Sequence, residues 1–179
     1  MMVNGNIEAD TSLTQRRHFI LKGHMPLLLH PNPRRVAVVG LGLGITLRAT
    51  ANHPTVEHIQ LVELTPEMVA AHRAHPELTG DVLRSPKLHL RIDDGRNFLL
   101  RNRQPYDVVT ADVVHPFDAG ATNLYSVEYF RLVARSLAEN GIMVQVLHPG
   151  KKAKCLRNFI AVRVRAQAVS AWDFRSRVN

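Results

Sequence analysis

The stretch VAVVGLGLGIT, residues 36–46, decides how the chain is read. Four apolar residues, three of them valine, suit a buried strand, and glycines at 40, 42 and 44 then break the run before a helix-compatible segment. A strand that turns through glycines into a helix lets backbone N–H groups approach a ligand with no Cβ in the way. The spacing restricts the ligand. A dinucleotide fingerprint needs G-x-G-x-x-G, whereas here the third glycine falls one place early and the sixth position is Ile45. No Gly-Lys-Ser/Thr follows, so a Walker-type phosphate loop fails too. An NAD enzyme is disfavoured, and a plain strand-to-helix turn stays open.

Downstream, short β-branched runs alternate with longer helix-compatible stretches, the pattern of βαβ units and a parallel sheet. Strands are predicted at 36–40, 58–64, 88–92, 106–112 and 141–147, with helices at 44–52, 66–75, 95–102 and 126–139. Thr65-Pro66 and Ser126 mark two of the helix starts, and Asn140-Gly141 marks the end of the last helix. Each strand then delivers something to the sheet's carboxyl edge, where open α/β sheets bind ligands. The first brings Gly40, Gly42 and Gly44. The second ends in Glu63, 23 residues after Gly40, where a carboxylate can accept both hydroxyl protons of a ribose or simply be a solvated strand-end charge. The third leads into Asp93-Asp94-Gly95, suited to an adenine amino group and also a common turn dipeptide. The fourth ends in Asp112, followed by His115-Pro116.

Length and charge bound the rest. At 179 residues and 45% hydrophobic content, one domain with a sizeable core is expected. The net charge of +8 is uneven. Residues 1–150 carry 15 Lys+Arg against 14 Asp+Glu, and residues 151–179 carry 8 against 1. Basicity is thus a property of the tail, and nucleic acid is not the expected partner. Neither a membrane span nor a signal peptide is indicated, so a cytoplasmic protein is expected. The single cysteine, Cys155, excludes an internal disulfide and is read as incidental. His72 and His75 lie at helix spacing but lack a third ligand nearby, so no metal is expected. Three sections follow: a lead-in at 1–34, polar to Arg17 and then apolar with three prolines; a Rossmann-like nucleoside-binding domain at 35–150; and a basic tail at 151–179 containing an alternating Val-Arg-Val-Arg run.

Taken together, the chain resembles the spermidine synthase family of aminopropyltransferases, which have the fold of S-adenosylmethionine-dependent methyltransferases. The resemblance is carried by NGNIEADTS (4–12), GHMPLLLHPNPRRVAVVGLGLGITLR (23–48), VEL (62–64), DDGRNFL (93–99), YDVVTADVVHPFDAGATNLYSVEYFRLV (106–133) and LAENGIMVQ (137–145). It implies an α/β fold: a Rossmann-like, methyltransferase-type parallel sheet with helices on both faces, truncated at both ends, with residues 1–34 a remnant of an N-terminal region. The implied reaction moves an aminopropyl group from decarboxylated S-adenosylmethionine to a diamine such as putrescine, in polyamine biosynthesis. Gly40, Gly42 and Gly44 would face the methionine-derived part of the donor, Glu63 its ribose, and Asp94 with Gly95 its adenine. Asp112 would be general base and amine-binding group. The resemblance also brings a homodimer as an expected assembly.

Three positions depart from the family pattern. Leu43 stands where the glycine loop usually carries an Asp, His115 where a second Asp follows the fourth strand, and His18-Phe19-Ile20-Leu21 where the family has Tyr-(Gln/His)-Glu-Met. Each departure removes a group that recognises a cationic amine. His115 as a proton-handling replacement, or as a loop histidine, stays open. Tyr125 either closes near the amine or packs on Tyr129 and Phe130. The alternatives are a methyltransferase-like enzyme using S-adenosylmethionine and an inactive thionucleoside-binding homologue.

Overall fold

A computed structural model describes residues 2–3, 6–7, 12–112, 121–147 and 158–163. In chain order the elements are β1 (Met2–Val3), β2 (Asn6–Ile7), α1 (Leu13–Leu29), β3 (Arg35–Val39), α2 (Ile45–Ala51), β4 (His58–Glu63), α3 (Pro66–Ala74), α4 (Pro76–Thr79), β5 (Leu88–Ile92), α5 (Gly95–Arg101), β6 (Tyr106–Ala111), α6 (Val127–Ser136), β7 (Leu137–Leu147) and β8 (Asn158–Arg163). Six strands form one sheet in the order β5-β4-β3-β6-β7-β8. The first five run parallel, as predicted, and β8 lies antiparallel on β7.

Helices cover both faces, and the period of two along β3 shows how. Val36 and Val38 pack with Leu27, Leu47, Ile59 and Leu61 beneath α1 to α3, while Ala37 and Val39 pack with Phe98, Tyr129 and Val133 beneath α5 and α6. Val36 and Val38 are wholly buried. Since burying such a side chain is worth about 1.5–3 kcal/mol, strands buried on both faces read as continuous apolar runs.

The structure adds to or corrects the sequence reading at three points. The proline-punctuated lead-in holds a 17-residue helix, α1, with Pro26 inside its last turn. A proline there removes one hydrogen bond near a helix end, and packing of the apolar residues around it outweighs that loss. Ser126 does cap α6, accepting the Tyr129 N–H at 3.2 Å, but the helix stops at Ser136 rather than 139. Leu137 is extended and opposite Tyr106, and the register then shifts so that Val108 faces Ile142. Asn140-Gly141 therefore lies inside β7, where a Cβ at Gly141 would sit 2.7 Å from that of Leu137. Thr65 precedes α3 as expected, yet its hydroxyl makes no cap bond. Within the basic tail, residues 158–163 pair with β7 and supply an outer strand.

Candidate active site

The chain leaves β3 for β4 on one side and later returns through α5 to β6 on the other, so the topology reverses between β3 and β6. The crevice outside the carboxyl ends of two such strands is where α/β sheets hold ligands. Here it is flanked by the glycine loop and Asp112. Gly40, Gly42 and Gly44 all have positive φ (88°, 52° and 70°), which explains their alternation: each reversal of the loop uses a backbone state that side chains resist. At Gly42 there is a second constraint, because a Cβ would lie 3.0 Å from Asp112 Oδ2. His72 of α3 braces the loop, with Nε2 2.8 Å from the Gly42 carbonyl.

Glu63, at the tip of β4, is buried, and both its oxygens accept backbone amides. Oε2 takes the Leu41 N–H of the glycine loop at 2.6 Å, and Oε1 takes that of Thr65 at 2.9 Å. Each oxygen keeps a second lone pair for a further donor. At the end of β5, Asp94 caps α5 by accepting the Asn97 N–H at 2.9 Å. Asp93 turns outward instead, to Arg91 and Arg101. Partial burial works against its ionisation, but the hydrogen bond and charge of Arg101, the Asp94 amide and the Arg91 charge hold its carboxyl below the usual range. Gly95 has a packing reason of its own: a Cβ would come within 2.5 Å of Val39 Cγ1, so glycine lets α5 settle on β3.

Asp112 is anchored through its N–H to the Val39 carbonyl at 2.6 Å and is 7% exposed. Its Oδ1 is ion-paired with Lys22 of α1, whose side chain is fully buried. Lys22 Nζ also donates to the Ala111 carbonyl at 3.0 Å, and the Thr46 hydroxyl lies 3.2 Å from Asp112 Oδ1. A buried charge survives only when paired and hydrogen-bonded, and this cluster provides both. Gly23 makes it possible, since a Cβ there would meet that of Ala49 at 2.6 Å and push α1 off α2.

The structure thus brings Gly40, Gly42, Gly44, Glu63, Asp94, Gly95 and Asp112 to one edge. Tyr125, like Phe130, packs against the core that holds Tyr129. Burial pushes its hydroxyl pKa up, and Gln145, opposite Ala111 in the sheet, partly offsets that. Burial, with the Tyr125 and Asp94 charges, raises Tyr129 further. His115 and Cys155 lie outside the described residues. His72 and His75 do not converge: the first is buried on the loop and the second pairs with Glu77 at the surface. Sequence reasoning overlooked Lys22 and Thr46. A lone lysine inside FILKGHMPLLL was the available signal, because a charge in an apolar helix calls for a buried partner.

Residues 20–169 match the spermine/spermidine synthase domain. The chain belongs to the spermine/spermidine synthase family. The polyamine aminopropyltransferase of Desulforudis audaxviator (strain MP104C) is 38% identical over 122 residues, 68% of this chain and 44% of that protein. Its counterpart from Methanocaldococcus jannaschii is 36% identical over 136 residues, 74% of this chain and 46% of that one. This family member spans about half the length of the curated relatives it matches. A spermidine synthase solved with the transition-state analogue AdoDATO superposes with a TM-score of 0.70 at 26% identity, covering 74% of this chain and 45% of that one. Human methyltransferase-like protein 13, solved with SAH, shares the fold at 22% identity and a TM-score of 0.55, covering 76% of this chain and 63% of that one. Among the described residues no helix is long and apolar enough to cross a membrane.

Proposed function

We propose that this chain carries the donor-binding and reaction site of an aminopropyltransferase, moving an aminopropyl group from decarboxylated S-adenosylmethionine to an amine acceptor in polyamine biosynthesis. The observation that carries the proposal is the buried Asp112 carboxylate with Oδ2 against the glycine loop, on the same sheet edge as Glu63 and Asp94. Glu63 accepts the ribose hydroxyls and Asp94, beside Gly95, the adenine amino group. Gly40, Gly42 and Gly44 make room for the sulfonium-bearing chain. The sulfonium already makes its neighbouring carbon electrophilic, so the protein's task is to present an unprotonated amine in line with it. The amine lone pair forms the new C–N bond while the C–S pair returns to sulfur, releasing methylthioadenosine. Asp112 Oδ2 takes the proton that leaves the nitrogen. Tyr125 lines the acceptor side, and His115 is a second proton-handling group. No metal enters this scheme, and a homodimer is the proposed assembly.

The test supplies the donor and putrescine and follows methylthioadenosine release, with Glu63→Ala and Asp112→Asn as controls. Turnover that both variants abolish supports the proposal; no turnover at any donor concentration that saturates binding overturns it. A thionucleoside-binding homologue without turnover is the second reading, favoured by Leu43 packing on Phe19 in place of a loop acid. In that case methylthioadenosine binds, and Asp112→Asn leaves its affinity intact.

A further inference from the structure

The glycine loop is held on two sides. Gly40 donates its N–H to the Val62 carbonyl at 2.8 Å, Leu41 to Glu63 Oε2 at 2.6 Å, and Gly44 to the Leu41 carbonyl at 2.8 Å, so three amides tie the loop to β4 and to itself. The Gly42 carbonyl instead meets His72 Nε2 of α3, at 2.8 Å. A carbonyl only accepts, so Nε2 carries the proton and Nδ1 is left as an acceptor. Nδ1 is buried, with no hydrogen-bond partner among the described residues. His72 is only 6% exposed, and one turn earlier Val69 packs in the same core as Leu41. An aliphatic side chain at 72 would suit that core and strand no polar atom. The ring thus carries an unpaired nitrogen and makes one bond, and that bond is to the loop.

The bond acts where backbone sterics do not. Gly42 has a φ of 52°, and glycine takes positive and negative φ about equally readily, so its own backbone does not fix which way the peptide to Leu43 faces. We propose that His72 is a positioning residue for the thionucleoside: its Nε2–H fixes the 42–43 peptide, and with it the shape of the loop between Glu63 and Asp112, acting through Gly42 and without touching the ligand. The proposal rests on the reading of this loop as the donor's seat. Leu41 is bonded to Glu63, and Gly42 lies against Asp112 Oδ2, so a loop free to turn at 42 loosens beside both carboxylates.

The experiment is calorimetric titration of methylthioadenosine into the wild-type chain, His72→Leu and His72→Gln, with a thermal melt of each. His72→Leu should bind about tenfold more weakly, the equivalent of one net hydrogen bond. Its melting temperature should stay close to that of wild type, because the orphaned Nδ1 is removed as the Gly42 carbonyl loses its donor. His72→Gln, whose side-chain amide can donate in place of Nε2, should recover most of the affinity. Unchanged affinity in His72→Leu overturns the proposal. So does a His72→Leu chain that does not fold, or a loss of affinity that His72→Gln fails to rescue, because the ring is then a structural part of the core. A wild-type chain that ignores methylthioadenosine overturns the function proposed above, and hydrogen exchange at Gly44, whose N–H closes the loop on the Leu41 carbonyl, then decides the role of His72. Faster exchange in His72→Leu with recovery in His72→Gln supports the positioning of the loop; equal exchange in all three overturns it.

Discussion

The two halves of the site are built differently. On the β3-β4-β5 side, Glu63 and Asp94 are held by backbone N–H groups: Leu41 and Thr65 on one carboxylate, Asn97 on the other. On the β6 side, Asp112 is held by a side chain 90 residues away in sequence, Lys22, together with the Thr46 hydroxyl. Backbone donors position a carboxylate without cancelling its charge, while a buried ammonium does both. The first half therefore keeps carboxylates whose charge no side chain cancels, and the second has its charge answered from within.

The sharpest way to break this contrast is Asp112→Ala, which strands the Lys22 ammonium in the core. It should cost about 3–5 kcal/mol in denaturant unfolding, the usual result of removing one partner of a buried pair. A loss below 1 kcal/mol would mean that Lys22 reaches solvent and that the halves do not differ. Glu63→Gln turns an acceptor into a donor against the loop amides and should cost about 1–3 kcal/mol, the penalty for leaving buried donors unpaired. It should also abolish methylthioadenosine binding in calorimetry; unchanged affinity removes the ribose role.

Gly42→Ala tests the seam between the halves. The positive φ alone costs about 1–2 kcal/mol, and the new Cβ presses on Asp112 Oδ2, so stability and thionucleoside affinity should fall together. The smallest effect is expected from Arg101→Ala, which breaks an exposed contact with Asp93 and should scarcely move the melting temperature at neutral pH. Because the Asp93 carboxyl is held low in the folded chain, whatever the contact adds is present above the unfolded carboxyl range and lost as pH falls through the folded value. Arg101→Ala should flatten that acid-side slope in thermal melts taken across pH.

The placement of most candidate site residues was legible because its signals are local. Alternating glycines after β3, carboxylates at the ends of β4, β5 and β6, and Ser126 before α6 are consequences of backbone geometry within a few residues. The boundary between α6 and β7 was not, since Leu137 leaves the helix to pair with Tyr106 across the sheet and Asn140-Gly141 ends inside a strand. Nor was α1, where a proline and scattered polar residues hide a helix that exists because it packs on α2 through Gly23.

The amino-acid sequence by itself determined the parallel sheet and the order in which glycines and carboxylates reach its carboxyl edge, because strand periodicity and glycine backbone freedom act over short range. Only the tertiary structure decided what Asp112 faces. A carboxylate's partner is chosen by which helix the packing lays beside it, and Gly23 lays α1 close enough for Lys22 to reach the end of β6.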